Sequence, residues 1–315
     1  MSRGRVFLVG AGPGDPGLLT VRARELLASA DVVLYDGLVG RGVLDLVSPK
    51  AEKTRVAKGP HHGDRFPQAS INELMIRAAR AGKRVVRLKG GDALLFSRGG
   101  EEADTLRRYR VPFEIVPGVT SALAGPAYAG IPLTERGYSS SVAFVTGHMS
   151  ASPDHPSLDW TALSRGADTL VILMGVAKWR EIARALLRAG REPETPVAAV
   201  RWATTPRQRT TLFTLGESTR TAVRARLDSP SVLVVGRSVG QADRLRWFPR
   251  ERRWASPGYR KVASRLRTAG PATSRGTEGP PRSRARSARR SAPASAPSRR
   301  GARNRVSSQG RPRRV

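Results

Sequence analysis

Apolar residues fall along this chain in two alternating series. In the first, strand-like runs lie near residues 5–9, 31–35, 84–88 and 113–116, each rich in Val, Leu, Ile or Phe. Helical spacing fills the gaps between them. Residues 21–30 read as a helix with Thr20 as its N-cap, and Ile71, Leu74, Met75 and Ala78 follow the i, i+3, i+4, i+7 spacing of an amphipathic helix. Strand and helix in alternation predict a parallel sheet joined by right-handed crossovers. The second series begins after Pro117-Gly118-Val119-Thr120-Ser121, with a small-residue helix running to about Gly130. Its strand-like runs are 141–146, 169–174, 196–200, 209–215 and 232–236, and a helix over 179–189 puts Ile182 and Leu186 on one face. The last two runs, with a single helix between them, are candidates for antiparallel pairing. The pattern predicts an α/β protein with an N-terminal domain over 1–117 and a C-terminal domain over 118–249.

Glycines recur just past the strand-like runs: Gly10, Gly12 and Gly14, then Gly90 and Gly91, then Gly118, Gly147 and Gly175. Ligands of open α/β sheets sit beyond the carboxyl ends of the strands, so these loops are expected to converge on one cleft between the two domains. The first loop is the densest, with four glycines in the eight residues from Gly10 to Gly17. Backbone without Cβ atoms can approach a ligand closely. Gly12-Pro13-Gly14-Asp15-Pro16-Gly17 also satisfies the spacing of a dinucleotide-binding loop, with Asp36 at the end of the next strand. Pro13 and Pro16 argue against that reading, because they hold the loop extended where a dinucleotide fold starts its helix.

Charge divides the chain differently. Residues 1–249 carry 36 Lys and Arg against 23 Asp and Glu, a net of +13, whereas residues 250–315 carry 20 against two, a net of +18. The second segment is mostly Arg, Ser, Ala, Pro and Gly, and past Thr268 it has too little apolar surface to offset chain entropy. It is expected to be a mostly disordered basic tail with nonspecific affinity for polyanions. A nucleic-acid-binding protein is the alternative of a different class, although the tail has no aromatic residue beyond Tyr259 for stacking. The chain contains no cysteine, which excludes disulfides, zinc–thiolate sites and cysteine nucleophiles. Four histidines, among them His61, His62 and His148, lack the spacing of a metal site, so no metal is expected. With no 18-residue apolar run and no signal-peptide pattern, the protein is expected to be cytoplasmic.

Read together, the motifs resemble the tetrapyrrole methylase family. The resemblance rests on the stretch from Val9 to Thr20, on Val33-Leu34-Tyr35-Asp36, and on Arg87-Leu88-Lys89-Gly90-Gly91-Asp92 with Phe96 and Arg98-Gly99-Gly100-Glu101-Glu102. It continues through Val116 to Ser121, Gly130-Ile131-Pro132-Leu133-Thr134, Thr146-Gly147-His148, Leu173-Met174-Gly175 and the stretch from Trp202 to Gln208. These follow in order over residues 4–240. The resemblance implies a two-domain methyltransferase, usually a homodimer, with S-adenosyl-L-methionine held between the domains. It is most similar to members that methylate uroporphyrinogen III at carbons 2 and 7, giving precorrin-2 for sirohaem and cobalamin synthesis. A cobalt-precorrin methyltransferase is the alternative within the family.

Carried over motif by motif, the resemblance implies that Pro13, Gly90, Gly91, Asp92, Leu95, Thr120, Ser121, Met174 and Ala203 bind S-adenosyl-L-methionine. It implies Asp36 and Lys58 as catalytic proton acceptor and donor. Each has a plainer alternative: Asp92 as a helix cap, Asp36 as a cap on its loop, Lys58 as an exposed lysine. Uroporphyrinogen III carries eight carboxylates, which suits a basic body. Arg98, with Glu101 one turn on, is the expected substrate-facing pair, the alternative being an ordinary surface ion pair.

Overall fold

The computed structural model describes residues 4–56, 66–147, 158–249 and 251–269. Its first half runs β1 (Arg5–Gly10), α1 (Val21–Ala28), β2 (Val32–Tyr35), α2 (Arg41–Leu44), β3 (Glu52–Arg55), α3 (Gln68–Arg80), β4 (Arg84–Lys89), α4 (Gly99–Arg108) and β5 (Phe113–Val116). The strands form one sheet in the order β3-β2-β4-β1-β5, and every pairing is parallel. Period-2 alternation splits β1 between two layers. Phe7 and Val9 face a core built with Leu26 and Leu27 of α1, while Val6 and Leu8 face Ile71 and Met75 of α3 and Leu106 of α4. A central strand buried on both faces needs the continuous apolar run seen here. α3 forms as its spacing predicts, with Ile71 and Met75 buried and Leu74 and Ala78 at the rim of the same core.

The second half continues with α5 (Ser121–Tyr128), β6 (Val142–Thr146), α6 (Trp160–Gly166), β7 (Thr169–Leu173), α7 (Trp179–Arg188), β8 (Pro196–Arg201), β9 (Arg209–Thr214), α8 (Thr221–Arg224), β10 (Ser231–Val235), β11 (Arg252–Ala255) and α9 (Pro257–Ala269). Its six-stranded sheet has the order β11-β9-β8-β10-β7-β6 and mixed direction. β9 and β10 are not partners, contrary to expectation. β8 lies between them and pairs antiparallel with both, because the short turn after Arg201 closes β8 and β9 into a hairpin and leaves the other edge of β8 to β10.

The folded body also extends past residue 249, where the sequence pattern places the start of the tail. β11 adds to the edge of the sheet beside β9, and α9 buries Tyr259 and Ala263 against Leu212, Val234 and Val239. The Tyr259 hydroxyl donates to Val239 O at 3.2 Å. The Glu217 carboxylate holds this segment in place, accepting from the Ser256 hydroxyl and from Gly258 N at 3.1 Å. Burial works upward on the Glu217 pKa, but those donors and Thr214 outweigh it and hold the carboxyl below its ordinary range. Among the described residues, no helix is long and apolar enough to cross a membrane.

Candidate functional site

Parallel strands deliver the carboxyl ends of β1, β2, β4 and β5 to one edge of the first sheet, and the glycine loops meet there. A Cβ built on Gly10 would lie 2.6 Å from Gly118 Cα, and one on Gly118 would lie 2.5 Å from Gly91 O. Three loops thus touch backbone to backbone, a contact only glycine permits. Gly12 N donates to Gly91 O at 3.1 Å and Gly91 N returns a bond to Gly12 O at 2.8 Å, zipping the first loop to the loop after β4. Thr20 caps α1 as expected, its hydroxyl accepting from Ala23 N at 3.2 Å, and the loop before it closes on a single turn of 3-10 helix, Pro16–Leu18.

Asp92 fastens the next layer. Its Oδ1 accepts from Leu94 N at 2.8 Å and Leu95 N at 2.9 Å, and its Oδ2 accepts from Gly118 N at 3.0 Å. Burial pushes its pKa upward, but these amides with that of Ala93 prevail and hold the carboxyl below its ordinary value. Asp92 therefore caps the turn at 93–95, not α4, and staples that turn to the loop after β5. Thr120 is the N-cap of α5, its hydroxyl accepting from Ala122 N at 3.3 Å, and Ser121 is the first residue of that helix.

The second sheet closes the site from the other side. Asp15 N donates to the Thr204 hydroxyl at 3.0 Å, and the Tyr128 hydroxyl donates to Asp15 Oδ2 at 2.9 Å. Burial and this bond push the Tyr128 pKa up to about 12. Pro13 is thereby held between Gly12 and Gly14 in a loop pinned from both halves. Met174, just past β7, and Trp202 and Thr204, just past β8, have φ of +54°, +48° and +64°. Backbone strain of this kind in non-glycine residues concentrates at ligand sites. The Met174 side chain is half exposed, whereas Ala203 is buried against Gly125 of α5.

Beneath the loops lies a charge network that sequence reasoning missed. Arg87 and Lys89, two residues apart on β4, point to the same buried face. Arg87 reaches Asp36 Oδ1 at 2.6 Å and Glu102 Oε1 at 3.0 Å, and Lys89 Nζ reaches Glu102 Oε2 at 2.8 Å. Gln68 Nε2 completes the shell of Glu102 at 3.1 Å. Burial pulls the Lys89 pKa below its ordinary value, with Arg87 adding to the effect and Glu102 opposing it. Burial also disfavours the Arg87 charge, yet Asp36 and Glu102 more than restore it. Asp36 is thus gripped from below and remains partly exposed at the end of β2. The signal was present in the sequence: two cations at i and i+2 in an apolar strand, followed by a carboxylate in the first turn of the next helix.

Arg98 and Glu101 form an exposed ion pair at 2.6 Å where α4 begins, with Arg98 itself in the left-handed region at φ +60°. Leu94, Leu95 and Phe96, just before Arg98 in the chain, leave apolar surface exposed, as does Leu38 after β2. Lys58, His61, His62 and His148 lie outside the described residues. Among the described residues, no group of three or more His, Cys, Asp or Glu is placed to hold a metal ion.

Residues 5–219 match the family model described as Tetrapyrrole (Corrin/Porphyrin) Methylases. The chain is 50% identical over 245 residues to a siroheme synthase of Neisseria meningitidis serogroup C, covering 78% of this chain and 50% of that one. It spans about half the length of the siroheme synthases it matches. It is 44% identical over 248 residues to the uroporphyrinogen-III C-methyltransferase of Bacillus subtilis, covering 79% of this chain and 96% of that protein. The crystal structure of uroporphyrin-III C-methyl transferase from Thermus thermophilus complexed with S-adenyl homocysteine superposes with a TM-score of 0.64 at 44% identity, over 75% of this chain and 99% of that one. The glycine loops, the staple at Asp92 and the turn after β8 all fall within the matched residues, and the chain belongs to the tetrapyrrole methylase family.

Proposed function

We propose that this protein transfers methyl groups from S-adenosyl-L-methionine to carbons 2 and 7 of uroporphyrinogen III, giving precorrin-2 for sirohaem or cobalamin synthesis. The observation that carries the reading is the similarity to the Bacillus subtilis enzyme over 96% of its length. The loops support it: their donor set fits a sulfonium amino acid. Gly90 and Gly91 offer bare backbone, Thr120 and Ser121 offer hydroxyls, and Leu95, Met174 and Ala203 offer apolar surface for an adenosine. Asp36 and Asp92 put negative charge near a ligand bearing an ammonium and a sulfonium. Two domains, 1–117 and 118 onward, would each supply one wall of the cleft.

S-adenosyl-L-methionine supplies an electrophilic methyl on a sulfur that departs as a neutral thioether, so no acid is needed at the leaving group. The macrocycle must still lose a proton as it rearranges after attack. Asp36, partly exposed at the end of β2, is the base we assign, and Arg87 fixes its carboxylate. Lys58 is assigned as proton donor. The Arg98 guanidinium presents a fork suited to a carboxylate arm of the substrate, and Glu101 orients that fork. We also place the enzyme in the cytoplasm as a homodimer, with the basic tail making nonspecific contacts to polyanions.

Purified protein given uroporphyrinogen III and S-adenosyl-L-methionine under anaerobic conditions, with no added metal, should yield a product carrying two added methyls by mass spectrometry. Methylation only of a cobalt-bound precorrin would overturn the substrate assignment. Within the site, Asp92→Ala removes the acceptor for three backbone amides that shape the pocket. At about 1.5–3 kcal/mol for bonds to a charged acceptor, affinity for S-adenosyl-L-homocysteine should fall roughly ten- to hundredfold. Calorimetry showing unchanged affinity would remove Asp92 from the binding site.

A further inference from the structure

The face of the second sheet that is apolar beneath α7 changes character at the sheet's edge. Along β8, Val197 and Ala199 lead to Arg201; along β9, Phe213 and Thr211 lead back to Arg209; along β11, Trp254 leads back to Arg252. Arg201 lies directly opposite Arg209, and Arg209 directly opposite Arg252. Residues in register on neighbouring strands point to the same face, and like charges so placed repel. Three arginines therefore stand in a row across three adjacent strands, whose backbones are spaced by roughly 4.8 Å.

Compensation within the protein is slight. Asp228 pairs with Arg201 while remaining largely exposed. Neither Arg209 nor Arg252 has a carboxylate partner among the described residues. The row floors two adjoining cavities of about 310 and 360 Å³. Both are walled by indoles already stacked with arginine: Arg207 lies 4.0 Å from the Trp202 ring centroid and Arg226 lies 4.4 Å from that of Trp254. Such stacking fixes the guanidinium planes and leaves their edges free to donate. The turn after β8 separates this basin from the cleft. Its Thr204 and Thr205 meet the first glycine loop, whereas Trp202, Pro206 and Arg207 line the basin.

We infer that the arginine row is a binding site for a compact multivalent anion, distinct from the methyl-transfer cleft. A monovalent ion can answer one guanidinium. Two or three anionic groups held a few ångströms apart would neutralise the row and relieve its repulsion. Clustered carboxylates and an oligophosphate share that chemistry, and the two sources are separated by choosing one probe of each.

Calorimetry on the full chain at 0.15 M salt should detect binding of inorganic tripolyphosphate or of benzene-1,3,5-tricarboxylate, and the tighter of the two identifies the source. Arg209→Ala/Arg252→Ala should weaken that binding at least tenfold with no loss of melting temperature. Arg289→Ala/Arg290→Ala removes the same formal charge from the basic tail and should change the affinity less than twofold. The inference is overturned if neither probe binds, if the first double substitution weakens binding less than twofold, or if both double substitutions weaken it equally.

Discussion

A chain ending at residue 249 should melt well below the full-length protein, whereas a chain ending at residue 274 should melt within about 2 °C of it. The reason is what lies between those points. Tyr259 is fully buried in the core above the second sheet, and removing a large buried aromatic costs about 3–5 kcal/mol. At roughly 2–4 °C per kcal/mol for a body of this size, that loss alone lowers the melting temperature by about 6–20 °C. Polar losses add to it. The Glu251 carboxylate is buried and accepts from Arg253 Nη2 at 2.6 Å, from the Thr210 hydroxyl and from Gln208 Nε2. Gln208 in turn accepts from Thr204 N at 2.7 Å, and Thr204 holds Asp15 of the first glycine loop. The shorter chain should therefore also bind S-adenosyl-L-homocysteine more weakly, because the end of the folded body supports the turn that supports the loop. Equal melting temperatures for the 249-residue and full-length chains would show that β11 and α9 add nothing to the fold.

How far this architecture was legible in the sequence depends on what each element buries. β1, β2 and β4 carry apolar runs sealed on both faces, and α3 carries a clean amphipathic stripe, so periodicity alone finds them. β3 is Glu-Lys-Thr-Arg at a sheet edge and has no apolar signal at all; its pairing with β2 makes it a strand. α9 was hidden for a different reason. It lies inside an arginine-rich segment that reads as tail by composition, although Tyr259, Val262, Ala263 and Leu266 keep the i, i+3, i+4, i+7 spacing of an amphipathic helix, with Tyr259 and Ala263 buried and Leu266 against Gly240. Partner choice in the second sheet was likewise invisible, since strand runs do not say which edge a neighbour takes. At the site, the glycine positions were readable because close backbone approach tolerates no other residue. The staple made by Asp92 was not, because it depends on the Gly118 amide brought in from the loop after β5, whereas the pairing of Glu102 with Arg87 and Lys89 left a signal in the spacing of β4 and α4.

Asp36→Asn should lower turnover by about 10²–10⁴-fold while leaving affinity for S-adenosyl-L-homocysteine within twofold of the wild type. The substitution is chosen to isolate one property. Asparagine keeps the shape of the side chain and an oxygen that can accept from Arg87, so the packing beneath the loop is retained. What it loses is the ability to take a proton. Alanine would be a poorer test, since it would leave the buried Arg87 guanidinium with Glu102 as its one carboxylate partner among the described residues, and breaking an ion pair of a buried group is destabilising in its own right. The two readouts separate two roles that the geometry keeps apart. Asp92 staples the loops after β4 and β5, so its loss should appear in affinity. Asp36 touches the loop after β4 only through a long contact to Gly90 N at 3.4 Å, and its loss should appear in turnover. A variant with wild-type turnover would reduce Asp36 to a counter-ion for Arg87 and send the search for the base to the other groups facing the cleft, beginning with Glu101 beside Arg98.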